Sequence, residues 1–388
     1  MKKPTIFALT LFLLFAVCAE RAEACTTFCL KGKGEILFGK NYDWMIGDGL
    51  LFVNKRGVSK KAVADSPAAV NTASWVSKYG SITFNQYGRE NPSGGMNETG
   101  LVIELMWLDE TQWPAKDERP VVGTLEWIQY QLDSFATVDE VIRNAEQVRI
   151  ASEVKIHYLV SDKAGNAATI EFLNGKLAAT RGDQLTVSAL ANDTYAKSIN
   201  YLKTAASTES QSSLDRFTRA ARNTKEFEVR PKTEQEAVDY AFQTLADVAQ
   251  KGHTQWSIVY DQKRSKIHFR TMQSPAVKTI DAVAFDYSCG SAVKLFDVNS
   301  RETGEVTGKF VDYSRSANRD LIERSFTGTP FLKNVPAAFR DVAASYPESF
   351  ACGASASPKV EVKKETAKSL SLLDLTFPIY GLVREYLS

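Results

Sequence analysis

An α+β fold, with two largely antiparallel sheets sandwiched between helices, is what this sequence predicts. Three observations carry the prediction. The strand-like runs come in pairs joined by short Gly- or Asp-containing turns, as hairpins do. The helix-like runs gather between those pairs and do not alternate one for one with strands, which argues against a doubly wound parallel sheet. Apolar residues make up 44% of the 388-residue chain, enough for a sizeable core.

The chain opens on a leader. Lys2 and Lys3 precede the apolar run Ile6–Val17, and Ala22-x-Ala24 places small residues before Cys25. This is the pattern of a secretory signal cut between Ala24 and Cys25, and the run is short for a membrane span of roughly 20 residues. Lipid attachment at Cys18 or Cys25 is the competing reading. Val17 before Cys18 and charged Glu23 before Ala24-Cys25 both fit a lipobox poorly. The expected product is exported, periplasmic or secreted, without stable membrane insertion. Taking Lys2, Lys3 and Arg21 from 47 basic side chains, and Glu20 and Glu23 from 46 acidic ones, leaves 44 of each. That balance argues against a nucleic-acid or polyanion partner.

Strands are expected at Thr26–Lys31 and Glu35–Asp43 around Gly32-Lys33-Gly34, then at Leu51–Asn54. Residues 57–72 are polar and Ala/Ser-rich and read as loop. Ser81–Phe84 reads as a strand, Gly94–Gly100 as a turn region, and Leu101–Trp107 as a buried strand. Thr124–Phe135 reads as a helix, and Thr137 with Glu140 fits a capping box opening a second helix to about Val148. Strands follow at Lys155–Ser161, Ala168–Leu173 and Leu185–Ala191. Helices are expected at 195–206, 212–223 and 233–250, then a hairpin from His253–Tyr260 and Lys266–Thr271. At least one strand falls within 278–298, a helix at 336–345 and a Lys-rich linker at 359–368.

Cys25 is the centre of the chemistry on offer. A chain beginning there carries a thiol and a free α-amine on one residue. The amine's ordinary pKa of about 7.7–8.0 lets it serve as a base, so nucleophile and base need no histidine. The hairpin brings Cys25 near Lys40 and Asp43 at the far end of the second strand. Asp43 can orient the amine, a cation such as Lys40 or Arg216 can favour the thiolate, and Asn192 can donate to a developing oxyanion. Taken singly, each of these residues also has an ordinary structural reading. Cys29 reads as a small buried hydrophobe, roughly 13 Å from Cys25 along an extended strand. A bridge between Cys289 and Cys352 is left open by the sequence. His157, His253 and His268 have no ligand spacing, so no metal and no cofactor are expected. There is no Gly-x-Ser-x-Gly elbow either.

The Cys25-Thr26 start, the run Leu37-Phe38-Gly39-Lys40-Asn41-Tyr42-Asp43-Trp44, Gly95-Met96-Asn97-Glu98-x-Gly100-Leu101, Leu190-Ala191-Asn192, Asp215-Arg216-Phe217 and Thr254-x-Trp256 appear in order. Together they resemble the choloylglycine hydrolase family over about residues 25–300. That family comprises linear-amide C–N hydrolases of the N-terminal-nucleophile superfamily, penicillin V acylases and conjugated bile acid hydrolases among them.

The resemblance implies a four-layer αββα sandwich and a small-molecule amide as substrate. By motif, Cys25 is nucleophile and base, Asp43 holds its amine, Asn192 is an oxyanion donor and Arg216 tunes the nucleophile. Lys40 stands where the family usually has Arg, which keeps the charge and loses the planar fork. An aromatic at Trp107 looks more like exported penicillin V acylases of Gram-negative type than like bile acid hydrolases, and Trp107 and Trp44 are candidates to line an acyl pocket. Three functions compete: an acylase of small apolar-acyl amides such as penicillin V or acyl homoserine lactones, a bile acid hydrolase, and a secreted binding protein without turnover. Residues 25–388 are expected to form one domain with a C-terminal extension from about 300. A homotetramer is the family analogy.

Overall fold

The hairpin predicted at the start of the expected mature chain forms the middle of a sheet. In the computed structural model, which describes residues 25–63, 71–204, 210–229 and 233–353, β1 (Thr26–Gly32) and β2 (Glu35–Asp43) pair antiparallel over their whole length. Lys33 and Gly34 take positive φ in the turn between them. Gly39 faces Phe28 across the ladder, and a Cβ there would lie 2.3 Å from the Phe28 ring. The missing side chain makes room for that ring.

The next strands are β3 (Leu50–Asn54), β4 (Val58–Lys61), β5 (Ser74–Val76), β6 (Ser81–Asn85), β7 (Pro92–Asn97), β8 (Val102–Trp107) and the short β9 (Val121–Val122). Helices α1 (Thr124–Ser134) and α2 (Val138–Asn144) come before β10 (Arg149–Ile150), β11 (Ile156–Ser161), β12 (Ala167–Leu173), β13 (Lys176–Arg181) and β14 (Ala189–Leu190). Then come α3 (Tyr195–Leu202), α4 (Ser213–Val229) and α5 (Glu234–Asp247), and after them β15 (Thr254–Asp261), β16 (Lys266–Thr271) and β17 (Lys278–Asp281). The chain continues through β18 (Lys294–Asp297), β19 (Gly304–Glu305), β20 (Val311–Asp312), α6 (Arg315–Gly328), α7 (Ala337–Ser345) and β21 (Ala351–Cys352).

Two large sheets result. One has seven strands in the order β14-β1-β2-β15-β16-β17-β19, the other nine in the order β13-β12-β11-β8-β7-β6-β3-β18-β20. All their pairings are antiparallel except β17 with β19. The period-2 alternation of β2 sorts its side chains by layer. Phe38 points between the sheets, where its ring meets Tyr260, and Tyr260 in turn meets Phe84 of the other sheet. Asn41 points outward, and its amide donates to the Leu245 carbonyl of α5 at 2.7 Å. Helices α4 and α5 cover β1, β2 and β15, and α1 covers β7 and β8. The predicted αββα sandwich is therefore the fold. The capping box Thr137/Glu140 opens α2 as predicted, and Thr233/Glu236 opens α5 in the same way.

The structure corrects several boundaries. Gly94 and Gly95 lie inside β7 and not in a turn. A Cβ on Gly94 would sit 2.1 Å from the Glu104 carboxyl carbon, and one on Gly95 would sit 2.5 Å from the Ile82 carbonyl oxygen. These glycines allow close approach across the sheet, and the turn falls at Gly100, whose φ is +88°. Residues 57–72 contain β4, which pairs with β5 and β21. Of the strand expected at Leu185–Ala191 only Ala189–Leu190 pairs, while Lys176–Arg181 forms the unforeseen β13. Helix α2 stops at Asn144, and α5 stops at Asp247. The expected signal at 1–24 and the Lys-rich 359–368 lie outside the described residues.

The largest difference is beyond residue 293. β18 pairs with β3 and β20, so the C-terminal segment extends the nine-stranded sheet. Helix α6 was not anticipated. Its polar sequence buries Leu321, Ile322 and Phe326, a narrow apolar stripe easily missed among charges. Cys289 and Cys352 are joined by a disulfide across 63 residues, with Cα atoms 5.7 Å apart.

Candidate active site

Four elements converge at the start of β1. The β1–β2 register pairs Thr26 with Asn41 and Thr27 with Lys40, so Cys25 lies beside the end of β2. Its Sγ lies 3.9 Å from the Asp43 backbone carbonyl. β15 flanks β2 on the other side, with Thr254 opposite Asp43. A bulge between Thr254 and Trp256 frees Gln255 from the ladder, and its amide donates to the Trp44 carbonyl at 2.8 Å.

Asp43 is fully buried. The Thr254 hydroxyl donates to its Oδ1, while no donor among the described residues reaches its Oδ2. Burial pushes its carboxyl up to about 6, opposed by the charge of Arg216, the Thr254 hydroxyl and the charge of Lys40. Burial likewise raises the Cys25 thiol. Lys40 counters that through its charge and a hydrogen bond, and the Asp43 charge adds to it.

Lys40 is fully buried between the sheets. Its ammonium donates to the Leu105 carbonyl and lies 3.9 Å from Glu104 Oε2. Glu104 is the one charged residue in the apolar run Leu101–Trp107. Its Oε1 accepts from the Tyr260 hydroxyl at 2.5 Å. Burial pushes Glu104 up to about 7, with Lys40 and the Tyr260 bond opposing. The sequence reading missed Glu104. An acidic residue in an apolar strand, with glycine opposite it, was the available signal.

Arg216, from the first turns of α4, reaches back to the same point. Its Nη1 donates to the Cys25 carbonyl at 2.9 Å and to the Thr26 hydroxyl, its Nη2 to Asn192 Oδ1 at 2.9 Å, and its Nε to the Gln211 carbonyl at 3.1 Å. The Arg216 bond fixes which end of the Asn192 amide is oxygen. Asn192 Nδ2 donates to the Trp107 carbonyl at 2.8 Å, and the Asn192 backbone N–H donates to the Ser213 hydroxyl at 2.8 Å. An amide nitrogen has two N–H groups, so one remains for a further acceptor. Behind Asn192, the Ala191 carbonyl lies 2.8 Å from His157 Nε2, whose Nδ1 lies 3.2 Å from Glu171.

The fold thus brings Cys25, Lys40, Asp43, Asn192 and Arg216 together from distant parts of the sequence. Trp107 joins them through its backbone carbonyl, while its indole N–H donates to Asp109 at 2.7 Å and its ring packs in the apolar cluster under α1. Trp44 follows Asp43 directly and is half-buried; its indole N–H donates to the Tyr87 hydroxyl at 2.7 Å. The β2–β15 register sets Thr254 opposite Asp43, where its hydroxyl donates to the carboxylate. Among the described residues, no group of three or more His, Cys, Asp or Glu is placed to hold a metal ion. None of the described helices is long and apolar enough to cross a membrane.

The family model of linear amide C–N hydrolases, choloylglycine hydrolase family, matches residues 25–293. Penicillin V acylase of Pectobacterium atrosepticum is 26% identical over 294 residues, covering 61% of this chain and 76% of the relative. The structure of penicillin V acylase from Agrobacterium tumefaciens superposes with a TM-score of 0.67 at 27% identity, covering 75% of this chain and 98% of that one. Conjugated bile acid hydrolase from Clostridium perfringens, at 16% identity and a TM-score of 0.58, shares the fold over 70% of this chain and 96% of its own. The span of the family match, with the converging cysteine, aspartate, asparagine and arginine inside it, establishes that this chain belongs to the choloylglycine hydrolase family of linear amide C–N hydrolases.

Proposed function

We propose that this chain is a penicillin V acylase-like amide hydrolase, acting on a small amide with an apolar acyl part. Cys25 is its nucleophile, released as an N-terminal residue by removal of residues 1–24 during export. One observation carries the reading. Among the described residues, no donor reaches one buried carboxylate oxygen of Asp43, immediately beside Cys25. Such an atom costs about 1–3 kcal/mol when left unpaired. The α-ammonium created by cleavage before Cys25 is a donor of the right charge for it.

The mechanism follows from the neighbours. The α-amine takes the thiol proton, and the thiolate attacks the amide carbonyl carbon. The free N–H of Asn192 donates to the developing oxyanion. The ammonium then protonates the leaving nitrogen, the C–N bond breaks, and an acyl thioester remains on Cys25. Water attacks the thioester after giving a proton to the amine, and the acid leaves with the thiol restored. Lys40 and Arg216 supply positive charge around the sulfur, which offsets the cost of forming a buried thiolate. Trp44, beside Asp43, is the candidate wall for the acyl group, whereas the Trp107 ring, expected from the sequence to join it, packs under α1 on the other face of β8.

The test is amide hydrolysis by chain beginning at Cys25, wild type and Cys25→Ala, offered penicillin V, glycocholate and a long-chain acyl homoserine lactone. Cys25-dependent turnover with penicillin V preferred supports the proposal, and preference for glycocholate turns it to bile acid hydrolysis. No turnover of any of the three, with Cys25 confirmed as the first residue, sinks the penicillin V acylase-like reading and favours a binding protein or a different amide.

A further inference from the structure

The segment from Lys294 onward lies beyond the family's span, yet it packs on the rim of the site. Helix α6 and the turn after it hold the Trp44–Gly49 loop. Arg324 Nε lies 2.7 Å from Asp48 Oδ1, and the Ser325 hydroxyl donates to the Gln86 carbonyl at 2.6 Å. The Gln86 amide donates to the carbonyls of Ile46 and Asp48 at 2.9 and 3.1 Å and accepts from the Tyr42 hydroxyl at 2.8 Å. A Cβ on Gly328 would sit 2.9 Å from Ile46 Cγ2, so α6 meets the loop at van der Waals contact.

Past the helix, Thr329 shares a 3.0 Å hydrogen bond with the Tyr87 hydroxyl, which also takes the Trp44 indole N–H. Phe331 stands edge-on to Trp44, with ring centroids 6.4 Å apart at 86°. Both rings are half-buried, and Trp44 also lies beside Tyr42, with ring centroids 6.4 Å apart. The far end of the segment is pinned by the Cys289–Cys352 bond and by β21 on β4.

We propose that this C-terminal segment supplies the outer wall of the acyl-binding side of the site, with Phe331 as a specificity-determining residue favouring acyl groups that end in a flat aromatic ring. The proposal rests on the reading of Cys25 as the amide-cleaving nucleophile. The Trp44–Phe331 pair offers a ring edge and a ring face one residue from Asp43, the geometry in which a third aromatic ring packs best. Losing one such contact weakens binding by about three- to tenfold.

The experiment compares wild type, Phe331→Ala and Phe331→Leu, all beginning at Cys25, in two readouts. The first is KM and kcat for penicillin V and glycocholate. The second is calorimetric titration with phenoxyacetate, which needs no turnover, and thermal unfolding checks that each variant is folded. The expected result is a three- to tenfold rise in KM for penicillin V in Phe331→Ala without a matching fall in kcat. Phenoxyacetate affinity should weaken alike, glycocholate should show no such penalty, and Phe331→Leu should recover part of the loss. Equal phenoxyacetate affinity in wild type and Phe331→Ala, or no binding to wild type, overturns the proposal even where Cys25-dependent turnover is intact. A change in KM shared by both substrates overturns it too. Absent turnover with Phe331-dependent phenoxyacetate binding sinks the hydrolytic reading and leaves the wall standing.

Discussion

Cys25 and Cys29 are two buried, unbridged thiols four residues apart at one end and in the middle of the same stretch of strand. Burial raises both. Cys29 is pushed up to about 12, and the Ser161 hydrogen bond that opposes this comes from a neutral partner. Against Cys25 the opposing influence is the Lys40 ammonium, with Asp43 and Arg216 close by. Burial alone makes a thiol inert, and a cation placed within the same apolar layer is what makes one a candidate nucleophile. The difference between the two cysteines therefore lies in what β2 and α4 bring to them, not in their own exposure.

The comparison breaks most clearly at the nucleophile. Cys25→Ala should lower kcat by about 10⁴-fold or more, because nothing else in the cluster can form the thioester. Steady-state hydrolysis of the preferred amide measures it, and residual turnover near wild type would remove Cys25 from the chemistry. Asp43→Asn comes next, with an expected loss of about 10²-fold or more, since a neutral amide holds an ammonium poorly. Its pH dependence has a definite sign. In the uncleaved chain the value near 6 lies above the ordinary carboxylate range, and an α-ammonium set against Asp43 lowers it, so turnover by chain beginning at Cys25 should fall only as pH drops below about 6. That same upward shift means the folded chain binds this proton more tightly than the unfolded chain. Stability from this group is present at low pH and is lost as pH rises through about 6. Before cleavage supplies an ammonium, Asp43→Asn should thus stabilise the protein at pH 7.5 by about 3 kcal/mol. Urea unfolding of the full chain checks this, and a less stable variant would contradict it.

Lys40→Met sharpens the contrast by making the surroundings of Cys25 more like those of Cys29. Turnover should fall about tenfold to a hundredfold, and iodoacetamide labelling of Cys25 at pH 7.5, followed by mass spectrometry, should slow toward the rate at Cys29. The same change strips Glu104 of its buried counter-charge, so uptake of a proton by Glu104 should accompany it. The smallest effect belongs to Cys29→Ala. It should leave turnover within about twofold and cost about 1 kcal/mol in urea unfolding, the value of a small buried hydrophobe. A large loss of activity would show that the two thiols are not separable.

Much of the site was legible because its residues lie in short runs whose local pattern is strong. The strand ending at Asp43, the strand end at Asn192 and the helix carrying Arg216 all stand where alternation and helical spacing placed them. What failed were glycines and pairings. Gly94 and Gly95 look like turn residues by composition, and only Glu104 and Ile82 across the sheet explain them. Strand β13 was missed because Lys176–Arg181 sits at a sheet edge and leaves its side chains half out of the core. Glu104 went unnoticed as a partner of Lys40 because 63 residues of chain separate them, and nothing local records that β2 and β8 face each other across the sandwich.

By itself the sequence determined the hairpin at the start of the expected mature chain, the helix opened by the Thr137/Glu140 capping box, and the set of side chains that could do chemistry around Cys25. These are local properties, fixed by turn residues, by period-2 and period-3.6 patterning and by side-chain functional groups. Tertiary structure alone decided the rest. It joined Cys289 to Cys352, laid the C-terminal helix against the Trp44 loop, left one oxygen of Asp43 without a donor among the described residues, and set Lys40 against Glu104. The physical reason is range: hydrogen bonding and packing between segments far apart in sequence depend on how whole layers stack, and no window along the chain contains that information.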